Sequence, residues 1–382
     1  MKKNLIIIYP YKFTSFENFK FEINEYKRKY NVKILDLSFN NKFFLKSWKA
    51  ARYKKVIAPK NILELIKTLK SLIKKNTFII NLMQNENNLY TLITKFFLKK
   101  KKPVEIVLND TAFDYVVKKN LKWFFSKILK SNFNVYKFYL KLYAFKFLNF
   151  FLIHNNQFMF FSLYKNKYIH NWDYSNSLIK KKNNKKRYVL YLDNGGPYFT
   201  GDHYHIGNKL LDFNVNKIYL SYLDFFKKIE NDFNCKIIII PHPKYKSHLK
   251  KIKTFNPFFK DFAVDNTPNA MQTLSNNAFF FLSKGSTASA YAVVHKKPMI
   301  CIGTDGEFKD SIMRATIEQH ATALGTKYLN IKNYKKKILK KLLKINFKKY
   351  NLYLKKFLVP NSKFLQKKNY EIISNFIDNY SS

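Results

Sequence analysis

The stretch Ile237-Ile238-Ile239-Ile240-Pro241-His242-Pro243-Lys244 decides how the second half of this chain folds. Four consecutive β-branched residues, apolar throughout, read as a strand buried on both faces, the pattern of a parallel sheet. Two prolines close the run; they fix the backbone and keep a helix from starting at once. A histidine is left between them at the strand's mouth. An imidazole held rigidly there can donate to a phosphate or act as an acid, and a turn histidine without a role is the alternative.

About 40 residues on, the pattern recurs as Phe279-Phe280-Phe281-Leu282-Ser283-Lys284-Gly285-Ser286-Thr287-Ala288-Ser289. An apolar strand runs into a turn of small residues, and a small-residue helix is expected directly after it. Ser286 or Thr287 can cap that helix. Exposed backbone N–H groups, the helix dipole and the two hydroxyls together suit an anion, and Gly285 would let the backbone approach it. A plain helix cap is the simpler reading. The Gly-x-x-x-x-Gly-Lys spacing of a P-loop is absent.

Working outward, strands expected at 188–192, 236–240, 278–282 and 298–302 alternate with helices at 217–233, 270–274 and 286–294. The first part alternates likewise. Its strands are expected at 5–9, 33–37, 55–58, 77–82 and 105–108, with helices at 61–74 and 88–98 among them. Strands separated by helices of this length imply parallel sheets with right-handed crossovers. The basic polar segment 180–187 divides the two units. The expected organisation is an N-terminal Rossmann-like domain over 1–180, a second over 187–333 and a lysine-rich helical tail over 334–382. Ligands in such sheets bind at the carboxyl ends of strands, so the chemistry is expected in the cleft between the domains. Within the first domain, residues 118–153 interleave aromatics with lysine. They suit a helix lying in a membrane interface or a core helix with a lysine-coated outer face.

The order His242-Pro243 and then Ser286-Thr287 resembles the bacterial sialyltransferases and Kdo-transferases of the GT-B type, which build capsules and lipooligosaccharides. In those families a His-Pro motif and a later Ser-Ser/Thr motif both contact the CMP part of the donor. The stretch 288–303 also looks like the helix and Lys-Pro strand that follow there, so the resemblance covers roughly 187–305. It implies an α/β GT-B fold, two Rossmann-like domains facing across a cleft. It further implies transfer of sialic acid or Kdo from a CMP-activated donor to a surface glycan, with no metal and no cofactor beyond that co-substrate. His242 would bind or protonate the leaving phosphate, beside Pro243 and Lys244, and the 285–287 turn would stabilise its charge. The resemblance breaks at one point. The acidic-acidic-Gly motif that supplies the base in many sialyltransferases is missing. Asp110 is the nearest first-domain substitute. Asp193 and Asp202, in the glycine-rich stretch with Gly195 and Gly196 that opens the second domain, are the others. Asp305, after the last apolar strand, could bond a ribose hydroxyl. Two rival functions are a CDP-polyol phosphotransferase of the teichoic-acid type and a non-catalytic membrane-associated scaffold.

Composition sets the outer bounds. The chain has 382 residues, 47% hydrophobic and 18% aromatic, enough to bury the cores of two domains. Its formal charge of +47 would ordinarily point to nucleic acid or an anionic membrane. Yet only four of the 71 basic residues are arginine, the residue that nucleic-acid readers favour, and Lys, Asn, Ile, Phe and Tyr are inflated together as in an A/T-rich genome. The expected partners are therefore a nucleotide sugar, a glycan or glycolipid acceptor and an anionic inner-membrane surface, and not nucleic acid. Cys235 and Cys301 lie in apolar runs and read as reduced, buried thiols. The first apolar run is too short for a signal-peptide core, and no stretch of about 18 apolar residues occurs. The expected location is the cytoplasm, peripheral on the inner membrane.

Overall fold

The computed structural model describes residues 2–40, 52–73, 77–82, 89–98, 104–106, 144, 158–160, 169–178, 187–194, 214–242, 258–309, 311–359 and 362–380. The first unit comprises β1 (Asn4–Tyr9), α1 (Ser15–Lys20), α2 (Ile23–Lys29), β2 (Asn31–Asp36), α3 (Ile62–Leu72), β3 (Thr77–Asn81), α4 (Leu89–Leu98), β4 (Val104–Ile106), β5 (Phe158–Phe160) and α5 (Trp172–Ser177). The second begins with β6 (Tyr188–Leu192), α6 (Val215–Phe233), β7 (Lys236–Ile240), α7 (Phe258–Asp261), β8 (Ala263–Val264), α8 (Ala270–Leu274) and β9 (Phe281–Ser283). It continues with α9 (Ser289–Val294), β10 (Met299–Gly303), α10 (Asp305–Phe308), α11 (Ser311–Leu324), β11 (Leu329–Asn330), α12 (Lys336–Leu342) and α13 (Phe347–Tyr353), and α14 (Asn369–Tyr380) ends the chain.

Two separate parallel sheets result. One has the order β2-β1-β3-β4-β5 and the other β11-β10-β9-β6-β7-β8. Every strand pairing among the described residues is parallel. The isoleucine runs do what their composition dictates, because both faces of each sheet are covered. In β1, Leu5 and Ile7 pack with α2, α5 and α14, while Ile6 and Ile8 pack under α3 and α4. In the second sheet, Leu190, Leu192, Phe281 and Cys301 face α9, α11 and α13. Their alternates Val189, Tyr191, Ile237, Ile239 and Leu282 face α6 and α12. The architecture is the expected two-domain α/β arrangement of the GT-B type, with a helical C-terminal region.

Three local expectations change. The strand expected at 55–58 shrinks to a single bridge, Leu35 with Ile57, because Pro59 has no N–H to continue the ladder. The helix expected from Ser286 begins at Ser289. The C-terminal helices do not form one tail. Leu339 of α12 and Tyr350 and Tyr353 of α13 join the cores of the second unit, whereas Ile372, Ile373 and Ile377 of α14 return to the first. Asn369 locks that return: its Nδ2 donates to the His170 carbonyl (2.9 Å), and its Oδ1 accepts from the His170 N–H (2.8 Å). Both cysteines are free and buried, and burial pushes the thiols up, Cys235 to about 11 and Cys301 to about 12. Segments 118–153 (Ala144 apart) and 180–186 lie outside the described residues.

Candidate functional site

The carboxyl ends of β1, β6, β7 and β9 open onto one cleft of about 240 Å³, walled by residues of both units. From the second unit come Asp193, Pro241, His242, Thr267, Gln272, Ser286 and Thr287. From the first come Tyr9, Phe16, Glu17, Lys20, Asp173 and Asn176. The structure thus brings His242 and the Ser286-Thr287 pair to one cleft, at the exits of β7 and β9, the two strands that flank β6. His242 is half-buried, one residue beyond the buried Pro241.

The turn after β9 is built by Ser283, whose Oγ accepts the N–H groups of Gly285 (3.1 Å) and Ser286 (2.9 Å). Gly285 sits at φ +98°, a left-handed conformation that disfavours any side chain. The expectation that its missing side chain makes room for a ligand is corrected here. A Cβ at this position would stand 2.6 Å from Thr316 Cγ2 and 3.3 Å from His320 Nδ1, so glycine lets α11 pack close. The capping expectation is corrected as well. Ala288 is the N-cap of α9 and no side chain caps it, because the chain completes a further turn first. Ser286 Oγ accepts from the Ala288 N–H at 3.3 Å, and Thr287 lines the cleft.

Behind this turn lies a buried charge cluster. Lys284 Nζ stands 3.1 Å from Glu307 Oε1 and 3.7 Å from Asp193 Oδ1, and all three side chains are fully covered. The closer pair is ionic by distance, although its angle falls short of a hydrogen bond. Tyr222 donates to Glu307 Oε2 at 2.6 Å, and the Thr304 N–H donates to the same oxygen at 2.9 Å. The ring of Tyr222 lies 5.3 Å under the ammonium. One lysine therefore ties the exits of β6, β9 and β10 together. Asp193 belongs to this tie: it forms part of the cleft wall, yet its carboxylate is spent on Lys284 rather than presented to an acceptor.

Across the cleft, α1 opens with a capping box. Thr14 N–H donates to Glu17 Oε2 at 2.9 Å, and its hydroxyl donates to the same oxygen. Both bonds fall on Oε2, leaving Oε1 out of the cap. Burial pushes the Glu17 carboxyl above its ordinary value, and the Thr14 hydrogen bonds pull it partly back. Asn176 Nδ2 donates to the Lys20 carbonyl (3.0 Å), fixing α5 against α1 and bringing Asp173 to the same wall. On the opposite side Gln272 Nε2 donates to the Tyr291 hydroxyl at 2.6 Å, while Gln272 Oε1 is buried with no hydrogen-bond partner.

Asp305 does not reach this cleft. It is exposed, lines a separate cavity beside Lys217 and Ser221, and pairs with Asn330 (2.6 Å) and Lys332 (3.2 Å), whose hydrogen bonds hold its carboxyl below the ordinary value. Asp110, Gly195, Gly196, Asp202, Pro243 and Lys244 lie outside the described residues. Sequence reasoning missed Lys284, Glu307, Gln272 and Glu17. The last carried a signal, Thr14-x-x-Glu17, the pattern of a capping box. Among the described residues no cluster of His, Cys, Asp and Glu has the makings of a metal site.

Fold and cleft together define a two-domain α/β molecule of the GT-B type with one cleft walled by both units. Among solved structures the chain is similar in fold to the UDP-N-acetylglucosamine 2-epimerase of Methanocaldococcus jannaschii, crystallised with UDP-GlcNAc and UDP; identity is 15%, coverage 98% of this chain and 100% of that one, TM-score 0.43. It is also similar to the wall teichoic acid polymerase TagF, at 11% identity over 99% of this chain and 90% of that one, TM-score 0.48. MurG of Acinetobacter baumannii matches at 8% identity over 98% of both chains, TM-score 0.39. No protein-family model matches the sequence, and no curated protein does either.

Proposed function

We propose that the protein is a glycosyltransferase that moves a nonulosonic-acid-type sugar, sialic acid or Kdo, from its CMP-activated form to a surface-glycan acceptor. The observation that carries the reading is the convergence of His242, the 286–288 turn and Glu17 on one cleft, from two domains. The acceptor hydroxyl attacks the anomeric carbon, and the bond from that carbon to the CMP phosphate oxygen breaks. The hydroxyl proton passes to Glu17, whose burial raises its basicity toward the range a general base needs. His242 and the donors of the turn take up the charge of the departing phosphate. Gln272 Oε1, buried at the wall without a partner, suits an amino-group donor such as the exocyclic amine of cytosine.

Glu17→Gln tests the catalytic assignment. Glutamine serves in a capping box as well as glutamate does, so the fold and its melting temperature should be kept. Losing a positioned base should lower transfer about 10²–10⁴-fold without weakening nucleotide binding. A folded Glu17→Gln protein that turns over CMP-sugar at the wild-type rate contradicts the assignment.

A further inference from the structure

At the mouth of the first sheet one carboxylate is wholly covered. Asp36 ends β2 in register with Tyr9, the last residue of β1 and part of the cleft wall. Its Oδ1 accepts the Ser38 N–H (2.8 Å), and its Oδ2 accepts the Phe13 N–H (2.9 Å) and Arg52 Nε (3.0 Å). Arg52 Nη2 also donates to Ser38 Oγ at 3.1 Å. The guanidinium is thus gripped along one edge. Its Nη1 has no partner among the described residues, and 40% of the side chain is exposed. Lys12 adjoins it: the Tyr53 N–H donates to the Phe13 carbonyl (2.8 Å), so residues 12–13 run beside residues 52–53. Among the described residues Lys12 has no ion-pair partner. Partial burial, and next the charge of Arg52, hold its ammonium below the ordinary value, with Asp36 partly opposing. Two residues along the chain, Thr14 holds Glu17 at the cleft.

Two cations therefore share one carboxylate that already accepts three donors. Of the four arginines, Arg28 and Arg314 pair with glutamates on their own helices, and Arg187 lies over the Phe279 ring. Arg52 alone holds a fully covered carboxylate. A planar fork fixed along one edge presents its remaining N–H groups to an oxyanion with little further ordering to lose. A second cation beside it, unmatched by an acid, completes a site for negative charge at the exits of β1 and β2.

We infer, on the transferase reading above, that Arg52 and Lys12 bind an anionic group of the acceptor, a carboxylate or a phosphate, while a hydroxyl of the same molecule reaches Glu17. Four arginines give four side-chain Nε–H signals in a nitrogen-15 spectrum of the full chain, and Arg52→Lys identifies that of Arg52. The probes are acetate, standing for a carboxylate, and inorganic phosphate. At least one should move the Arg52 signal saturably, at concentrations that leave the other arginine signals in place, and the stronger binder names the group. Lys12→Met should weaken that titration about tenfold, the order of one charge-assisted hydrogen bond. Circular dichroism and thermal melts check that the variants fold. Saturating CMP should leave the anion's affinity unchanged, because donor and acceptor sites are distinct. Four results would overturn the inference: an Arg52 signal that neither probe moves, all arginine signals moving together, Lys12→Met titrating as the wild type does, or CMP competing with the anion. A chain that binds no CMP while its Arg52 signal still titrates would sink the transferase reading and leave the anion site standing.

Discussion

Lys284 is the residue on which the cleft's second-domain wall depends. Two buried carboxylates on different strand exits share its ammonium. Removing one partner of a buried ion cluster strands the remaining charges away from water, which costs about 3–5 kcal/mol. Lys284→Met should lower the unfolding free energy by that amount, and a denaturant titration will show it. The same site makes a pH prediction through His320, which packs beside Gly285. Burial pulls its imidazole down to about 4, against an unfolded value of 6.5. Above the unfolded value neither state holds the proton, and the group is neutral to stability. As pH falls through 6.5 the unfolded chain binds a proton that the folded one refuses, so stability is lost down to about pH 4. Between pH 7 and pH 5 the wild type should lose about 2 kcal/mol more than His320→Gln, measured by urea unfolding of both.

At the scale of elements, the chain's return to the first domain is the feature most open to test. Asn369 starts α14 with two complementary bonds to the His170 backbone, and its own N–H donates to Ser175 Oγ at 2.8 Å. Asn369→Ala leaves a buried N–H and a buried carbonyl unsatisfied, at about 1–3 kcal/mol each. A fall of about 2–6 kcal/mol in unfolding free energy is expected, with Ile372, Ile373 and Ile377 loosened from the first core. This return was invisible in the sequence, where the lysine-rich stretch from Tyr334 to Tyr380 reads as one helical tail. The strands were legible because parallel strands covered on both faces are continuous apolar runs: 188–192 and 236–240 are read to the residue. The mouths of those strands were legible for the same reason, which is how His242 and Ser286-Thr287 were found. Lys284 and Glu17 were not, because a charged residue beside a turn reads as solvated until a fold buries it. Asp305 shows the converse: a carboxylate just past a strand end can still face another cavity.

For the whole molecule, the central claim is that one cleft holds a nucleotide between the His242 mouth and the 286–288 turn, opposite Glu17. Ser286 and Thr287 do not cap α9, so replacing both with alanine should leave the melting temperature nearly unchanged. If their hydroxyls bond a phosphate, each lost bond to that charged group is worth about 1.5–3 kcal/mol. The most direct measurement is calorimetric titration of CMP, CDP and UDP into the wild type, His242→Ala and S286A/T287A. CMP should bind the wild type more tightly than UDP, S286A/T287A should bind it tens of times more weakly or worse, and His242→Ala should weaken it too. CMP affinity that is the same in all three proteins, or no CMP binding by the wild type, would contradict the central claim.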